Sequence, residues 1–317
     1  MKTALVFPGQ GAQNVGMGKD LFDNIKEIQH YYDTANKILG YDIKKLIFEG
    51  PSELLIKTEY TQPAIFLTSF VCYKTLELKY PVIKEQVMFV AGHSLGEYTA
   101  VCISGALGFE ETLELVATRG RIMAEVGKNS AGTMVAVIGM EKEELTLLCK
   151  ELTSKNFLVE PVNFNCHGQI VVAGTLQGIE ELTKLLNEKK VRNIRLNVSG
   201  AFHSSLMNEA QKNFSISLDK YNLNNAFIKV VSNYDAKPHT DKNEIKECLA
   251  QQINHPVLWE DSINYIKDKV DLFIECGPGK VLTGLIKKID RNISVTNIEN
   301  LTTLNSFETV YKQIQAK

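Results

Sequence analysis

Short apolar runs closed by Gly or Pro recur along this chain and alternate with longer segments of helical period. A strand that is apolar at nearly every position is buried on both faces, so it needs parallel neighbours and helices above and below. The pattern predicts such strands at 3–7, 87–91, 229–232, 272–275 and 294–298. With 317 residues, 44% of them hydrophobic, the chain can bury a large core, and disorder is excluded.

The texture changes between 132 and 196. There the periods predict a strand at 133–138, a helix at 141–152, strands at 158–164 and 170–173, a helix at 176–188 and a strand at 191–196. This β-α-β-β-α-β series is the split-βαβ, ferredoxin-like unit, which can cover one sheet face with its own two helices. The expected organisation is a large α/β domain from 1–130 and 197–317, with a ferredoxin-like small subdomain inserted at 131–196. No Gly/Ser linker separates the two parts, so they should share an interface.

Charge and cysteine content narrow the function. Thirty-five Lys plus Arg stand against 37 Asp plus Glu, a net charge of -2 that provides no global field for nucleic acid or anionic lipid. The six cysteines, at 72, 102, 149, 166, 248 and 276, form no C-x-x-C pair and have no His at zinc-ligand spacing, so free thiols and no metal are expected. The N-terminal apolar run is broken at Pro8-Gly9, too short for a signal core or a membrane span, and a cytoplasmic protein is the expectation.

Chemistry concentrates at Val90-Ala91-Gly92-His93-Ser94-Leu95-Gly96-Glu97, where G-x-S-x-G follows an apolar strand and precedes a helix. In that context the motif makes a nucleophile elbow, as in α/β-hydrolase-like folds, with Ser94 raised at a helix N-terminus that favours developing negative charge. The bland alternative is a capping box, since Ser94 and Glu97 have its spacing. A serine hydroxyl also needs a proton acceptor. Of six histidines, His93 points away from its neighbour Ser94 and reads as a structural hydrogen-bonder, and His30 and His239 read as solvated, the latter in a Lys-Pro-His-Thr turn. His167 falls in a tight turn and His255 precedes a proline, which leaves His203, on the loop where the chain returns from the subdomain, as the base candidate. For the oxyanion, Leu95 can donate its N–H as the residue after the nucleophile, and Gln10 can donate from Phe7-Pro8-Gly9-Gln10-Gly11, a loop that reads equally well as an ordinary turn.

Taken together, Phe7-Pro8-Gly9-Gln10-Gly11, Gly92-His93-Ser94-Leu95-Gly96-Glu97 and Gly200-Ala201-Phe202-His203-Ser204 resemble the signature of the malonyl-CoA:acyl carrier protein transacylases. The likeness runs nearly end to end, through Gln62-Pro63-Ala64, Arg119-Gly120, Pro161-Val162-Asn163-Phe164-Asn165, Gln252 before His255-Pro256-Val257, and Glu275-Cys276-Gly277-Pro278-Gly279. It implies a Ser94–His203 dyad whose imidazole is oriented by main-chain carbonyls, with Gln252 at that position. It also implies that Arg119 holds the free carboxylate of the malonyl group, that Phe202 crowds a methyl at the acyl α-carbon, and that Met123 lines the same pocket. Read alone, Arg119 would be an exposed helix residue pairing with Glu114 or Glu125.

The expected activity is transfer of malonyl from malonyl-CoA to acyl carrier protein for fatty acid synthesis, with coenzyme A thioester as substrate and no cofactor. A serine esterase or thioesterase is the alternative, though such enzymes carry their His near the C-terminal end, and more than a hundred residues follow His203 here. A scaffold without activity is disfavoured by the intact Ser94, His203 and Arg119. A P-loop reading of Gly277-Pro278-Gly279-Lys280 fails because Val281 stands where Ser or Thr should bind Mg²⁺. Lys189, Lys190 and Arg192 are a basic group that an acidic carrier could meet, or a solvated helix end.

Overall fold

The computed structural model describes residues 1–315, which form two sheets. The larger contains β1 (Thr3–Phe7), β2 (Val87–Gly92), β7 (Lys229–Val231), β8 (Pro238–His239), β9 (Leu272–Cys276) and β10 (Val295–Ile298), in the order β10-β9-β1-β2-β7-β8. All its pairings are parallel except β7 with β8. The smaller contains β3 (Gly132–Ile138), β4 (Val159–Cys166), β5 (Gln169–Thr175) and β6 (Arg192–Arg195), in the antiparallel order β4-β5-β3-β6. Helices Lys142–Ser154 and Leu176–Glu188 connect its strands, completing the ferredoxin-like unit expected from the sequence.

The sheet separates two cores by strand alternation. From β1, Leu5 and Phe7 enter one apolar cluster, and Ala4 and Val6 enter the other, because successive side chains leave a strand on opposite faces. The small sheet does the same. Val135 and Val137 pack beneath its own helices with Leu145 and Leu182, while Met134, Val171 and Ala173 join the core of the large sheet. Main-chain bonds from Phe164 N to Val257 O (3.0 Å) and from Val257 N to Val162 O (2.8 Å) extend β4 onto the large part of the chain. The two parts are therefore joined by backbone as well as by apolar contact.

The register of β1 on β2 positions a site. Phe7 pairs with Gly92, so the carboxyl ends of β1 and β2 are level and the loops leaving them are neighbours. Ligands in open α/β sheets collect at such ends.

One expectation needs correction. The segment at 238–239 forms the edge strand β8, pairing His239 with Val230, and the His239 side chain is half-buried between Asp235 and Glu244 instead of solvated. A two-residue strand is too short to show a period, and Lys-Pro reads locally as a turn.

Candidate active site

Gly92 closes β2 and Gly96 opens the Gly96–Ile103 helix. A Cβ on Gly92 would lie 1.9 Å from the carbonyl carbon of Gly96, and one on Gly96 would lie 2.0 Å from the Phe7 carbonyl oxygen. Only hydrogen fits at either place, so the chain can reverse tightly between them. Ser94, at the apex, has φ of 50°, a left-handed conformation that costs an L-residue about 1–2 kcal/mol.

Neighbouring groups hold that conformation. The Ser94 N–H donates to Asn233 Oδ1 (2.7 Å), and Asn233 Nδ2 donates to the Gly92 carbonyl (2.6 Å). The capping box does not form. An N-cap residue needs extended backbone, which Ser94 lacks. Glu97 turns inward instead, accepting from Gln252 Nε2 (2.6 Å) and from the Asn233 N–H (3.2 Å).

Ser94 Oγ lies 2.7 Å from His203 Nε2, across 109 residues of sequence. On the far side of the ring, Nδ1 is 2.8 Å from the Gln252 carbonyl oxygen. A carbonyl can only accept, so Nδ1 carries the proton and Nε2 is left as the acceptor for the serine hydroxyl. His203 is also left-handed, with φ of 65°, and its N–H donates to the Ile253 carbonyl (3.2 Å). Burial, and then the nearby Arg119 charge, push the His203 imidazole down to about 3. That shift favours the neutral ring, the form that can accept the serine proton. His93 is turned away, with Nε2 2.8 Å from Asn165 Oδ1 on β4, and burial lowers its pKa as well.

Arg119 departs from the ordinary fate of a helix arginine. It sits on the Phe109–Asn129 helix but is only 1% exposed. Its Nη1 donates to Gln62 Oε1 (2.8 Å), and its Nη2 donates to Gln252 Oε1 (2.9 Å) and to Ser94 Oγ (3.1 Å). The guanidinium carbon stands 5.0 Å from the centre of the Tyr98 ring. Among the described residues, no carboxylate lies within ion-pair distance and Nε has no hydrogen-bond partner. Glu114, the ion-pair partner that spacing suggested, instead accepts from the Tyr221 hydroxyl (3.3 Å). Glu97, a buried acid whose charge acts on Arg119, is pushed up to about 7 by burial, against opposing hydrogen bonds from Gln252 and the Asn233 N–H.

Ser94, His203, Arg119 and Gln62 line one cleft of about 310 Å³ between the two sheets, and Gln252, wholly buried, stands behind them and not on its wall. Gln10 and Leu95 are on its wall, and among the described residues neither main-chain N–H finds an acceptor. The Gln10 side chain donates to Thr58 Oγ1 (3.3 Å). Phe202 and Met123 line the same cleft, and Met123 Sδ accepts from Gln62 Nε2 (3.5 Å). Met134, Asn163, Asn165 and Val171 of the small sheet form the opposite wall.

Sequence reasoning missed Asn233 and the inward role of Glu97, and it quoted Gln62 without a task. Glu97 carried a signal, an acid in the first turn of a helix otherwise rich in apolar residues. Asn233, 139 residues from Ser94, carried none.

Residues 4–308 match the acyl transferase domain family. The chain belongs to that family. Among similar acyl transferases is the malonyl CoA-acyl carrier protein transacylase of Staphylococcus aureus strain MW2, 41% identical over 304 residues, which cover 95% of this chain and 96% of that one. The protein of the same name from Bacillus subtilis strain 168 is 40% identical over 305 residues, covering 96% and 95%. The crystal structure of malonyl CoA-acyl carrier protein transacylase from Clostridium perfringens superposes with a TM-score of 0.93 at 37% identity, covering 100% of this chain and 99% of that one. A malonyl-transacylase in complex with its type II PKS acyl-carrier protein gives a TM-score of 0.92 at 33% identity, covering 96% and 98%. No helix among the described residues is long and apolar enough to cross a membrane.

Proposed function

We propose that the chain moves the malonyl group of malonyl-CoA to the phosphopantetheine thiol of acyl carrier protein, through a malonyl ester on Ser94, and so supplies extender units for fatty acid synthesis in the cytoplasm. The observation that carries this reading is the position of Arg119: a buried cation with no acid in ion-pair distance among the described residues donates to the nucleophile itself. A buried guanidinium is best satisfied by a planar carboxylate, and an acyl group with a free carboxylate brings one.

In the first half-reaction His203 Nε2 takes the Ser94 proton as Oγ bonds to the thioester carbon. The N–H groups of Gln10 and Leu95 hold the negative oxygen. Collapse breaks the carbon–sulfur bond, and the coenzyme A thiolate recovers the proton from His203. In the second half-reaction the carrier thiol gives its proton to His203 and attacks the ester carbon, and as the bond from that carbon to Ser94 Oγ breaks, His203 Nε2 returns the proton to the departing serine oxygen. The Gln252 carbonyl keeps the imidazole in the tautomer both halves need, Phe202 restricts the space beside the acyl α-carbon, and Met123 lines the pocket. The coenzyme A thioester is a substrate, and these steps call on no further cofactor.

The test is to mix the protein with malonyl-CoA alone and then add carrier protein. A malonyl adduct on Ser94, discharged as malonyl-carrier, is the expected result. An unmodified Ser94 during turnover sinks the mechanism, and free malonate in place of malonyl-carrier makes the protein a hydrolase.

A further inference from the structure

Away from the cleft, the β7–β8 hairpin brings three metal-ligating residue types together. Asp235 in the turn, His239 on β8 and Cys248 on the Lys242–Gln251 helix each offer one ligand atom, and these atoms all lie within 4.8 Å of one another. His239 Nε2 lies 3.1 Å from Asp235 Oδ2, and its Nδ1 lies 3.1 Å from Glu244 Oε2. We infer that Asp235, His239 and Cys248 bind a divalent transition ion of the zinc class, with Glu244 orienting the imidazole.

Zinc bonds of about 2.0–2.3 Å imply ligand-to-ligand edges of roughly 3.3–3.8 Å. At 3.1 Å the Asp235–His239 contact is a hydrogen bond slightly shorter than such an edge, which the ion would replace, and the thiol needs to close by roughly 1.3 Å at most. A carboxylate on the distal ring nitrogen is the arrangement that fixes a metal-bound imidazole. The mixed oxygen, nitrogen and sulfur donor set excludes the oxygen-seeking Mg²⁺ and Ca²⁺. The thiol proton leaves to solvent as the metal–sulfur bond forms, because thiolate is the ligand form of cysteine. Sequence spacing concealed the cluster, because its members come from a turn, a two-residue strand and a helix.

The ion would clip the hairpin carrying Asn233 to the helix leading into Gln252, the two residues that hold Ser94 N–H and His203 Nδ1. The binding claim itself stands apart from the acyl-transfer reading.

Chelator-stripped full-length protein is titrated with zinc chloride by calorimetry and with cobalt chloride by absorption. One equivalent should bind, with a thiolate-to-cobalt charge-transfer band, and zinc should raise the melting temperature. Cys248→Ser and His239→Asn should each abolish the band and the melting shift, while Cys149→Ser, a buried thiol of the small sheet's core, keeps both. If Cys248→Ser does not fold, His239→Asn and Asp235→Asn, at half-buried positions, decide. No uptake by the native chain, or uptake and band that survive these substitutions, overturns the inference.

Discussion

Asn233 grips Ser94 from both sides of the elbow, accepting the Ser94 N–H at 2.7 Å and donating to the Gly92 carbonyl at 2.6 Å. Both partners are main-chain groups, so the side chain sets backbone conformation instead of entering the reaction. In Asn233→Ala the Ser94 N–H and the Gly92 carbonyl lose their partners, at about 1–3 kcal/mol per buried group. Acylation of Ser94 by malonyl-CoA should slow, and the denaturant midpoint should fall. Asn233→Asp, which keeps the acceptor but not the donor, should lie between. An Asn233→Ala protein with native stability and native acylation rate would show that the elbow holds itself.

The dyad should be insensitive to pH where histidine chemistry normally changes. With the imidazole held near 3 against an ordinary 6.5, acylation rates should show no fall between pH 8 and about 5 from His203 protonation. His203→Ala should lower the acylation rate constant by roughly 10²–10⁴-fold, the usual worth of a positioned base. Rapid-quench measurement of malonyl-Ser94 across pH checks both. A limb centred near 6.5 that disappears in the variant would contradict the first.

Stability should respond to pH through two groups of opposite sign. The folded-state pKa of His203 is depressed, so its contribution is present above 6.5 and is lost as pH falls toward 3. That of Glu97 is raised from 4.5 to about 7, so its contribution is present below 4.5 and is lost as pH rises through 7. Glu97→Gln keeps an acceptor for Gln252 and removes the ionisation. Its stability relative to the native protein should therefore climb between pH 4.5 and pH 7. Parallel melting-temperature curves for the two proteins would mean that Glu97 does not titrate there.

Arg119 is the predicted reader of the acyl carboxylate. Removing one member of a buried charge pair costs about 2–5 kcal/mol, or on the order of 30- to several-thousand-fold. Arg119→Ala should lose that much in kcat/KM with malonyl-CoA while acetyl-CoA loses far less, since an acetyl group offers the guanidinium nothing. Competition between the two thioesters measures this directly, and an unchanged preference for malonyl would remove Arg119 from that role.

Gly96→Ala tests the elbow sterically. The added methyl would stand 2.0 Å from the Phe7 carbonyl oxygen, which is backbone of the central strand and cannot rotate away. Overpacking of this kind costs about 1–3 kcal/mol or more. A lower melting temperature together with slower acylation is expected, because β1 and β2 must separate just where the Gln10 loop and Ser94 meet. Gly284, with no atom near its virtual Cβ, is the matched control.

Much of this molecule follows from local rules that a sequence displays. Buried parallel strands need unbroken apolar runs, so β1, β2, β7, β9 and β10 are visible, as is the β-α-β-β-α-β order of the small subdomain. G-x-S-x-G after such a run marks Ser94, because only glycine fits where Gly92 and Gly96 pack. The motifs shared with a known family single out His203 and Arg119 for the same cleft, and Gln252 for the place behind the imidazole. Tertiary structure alone decided which atoms meet. Nothing local says that Asn233 receives the Ser94 N–H, that Glu97 turns away from its cap, or that Arg119 is buried beside Ser94 with no acid in ion-pair distance among the described residues. Hydrogen bonds between residues over a hundred positions apart depend on how the helices seat on the sheet. That seating is set by the whole core at once, and no short stretch of chain records it.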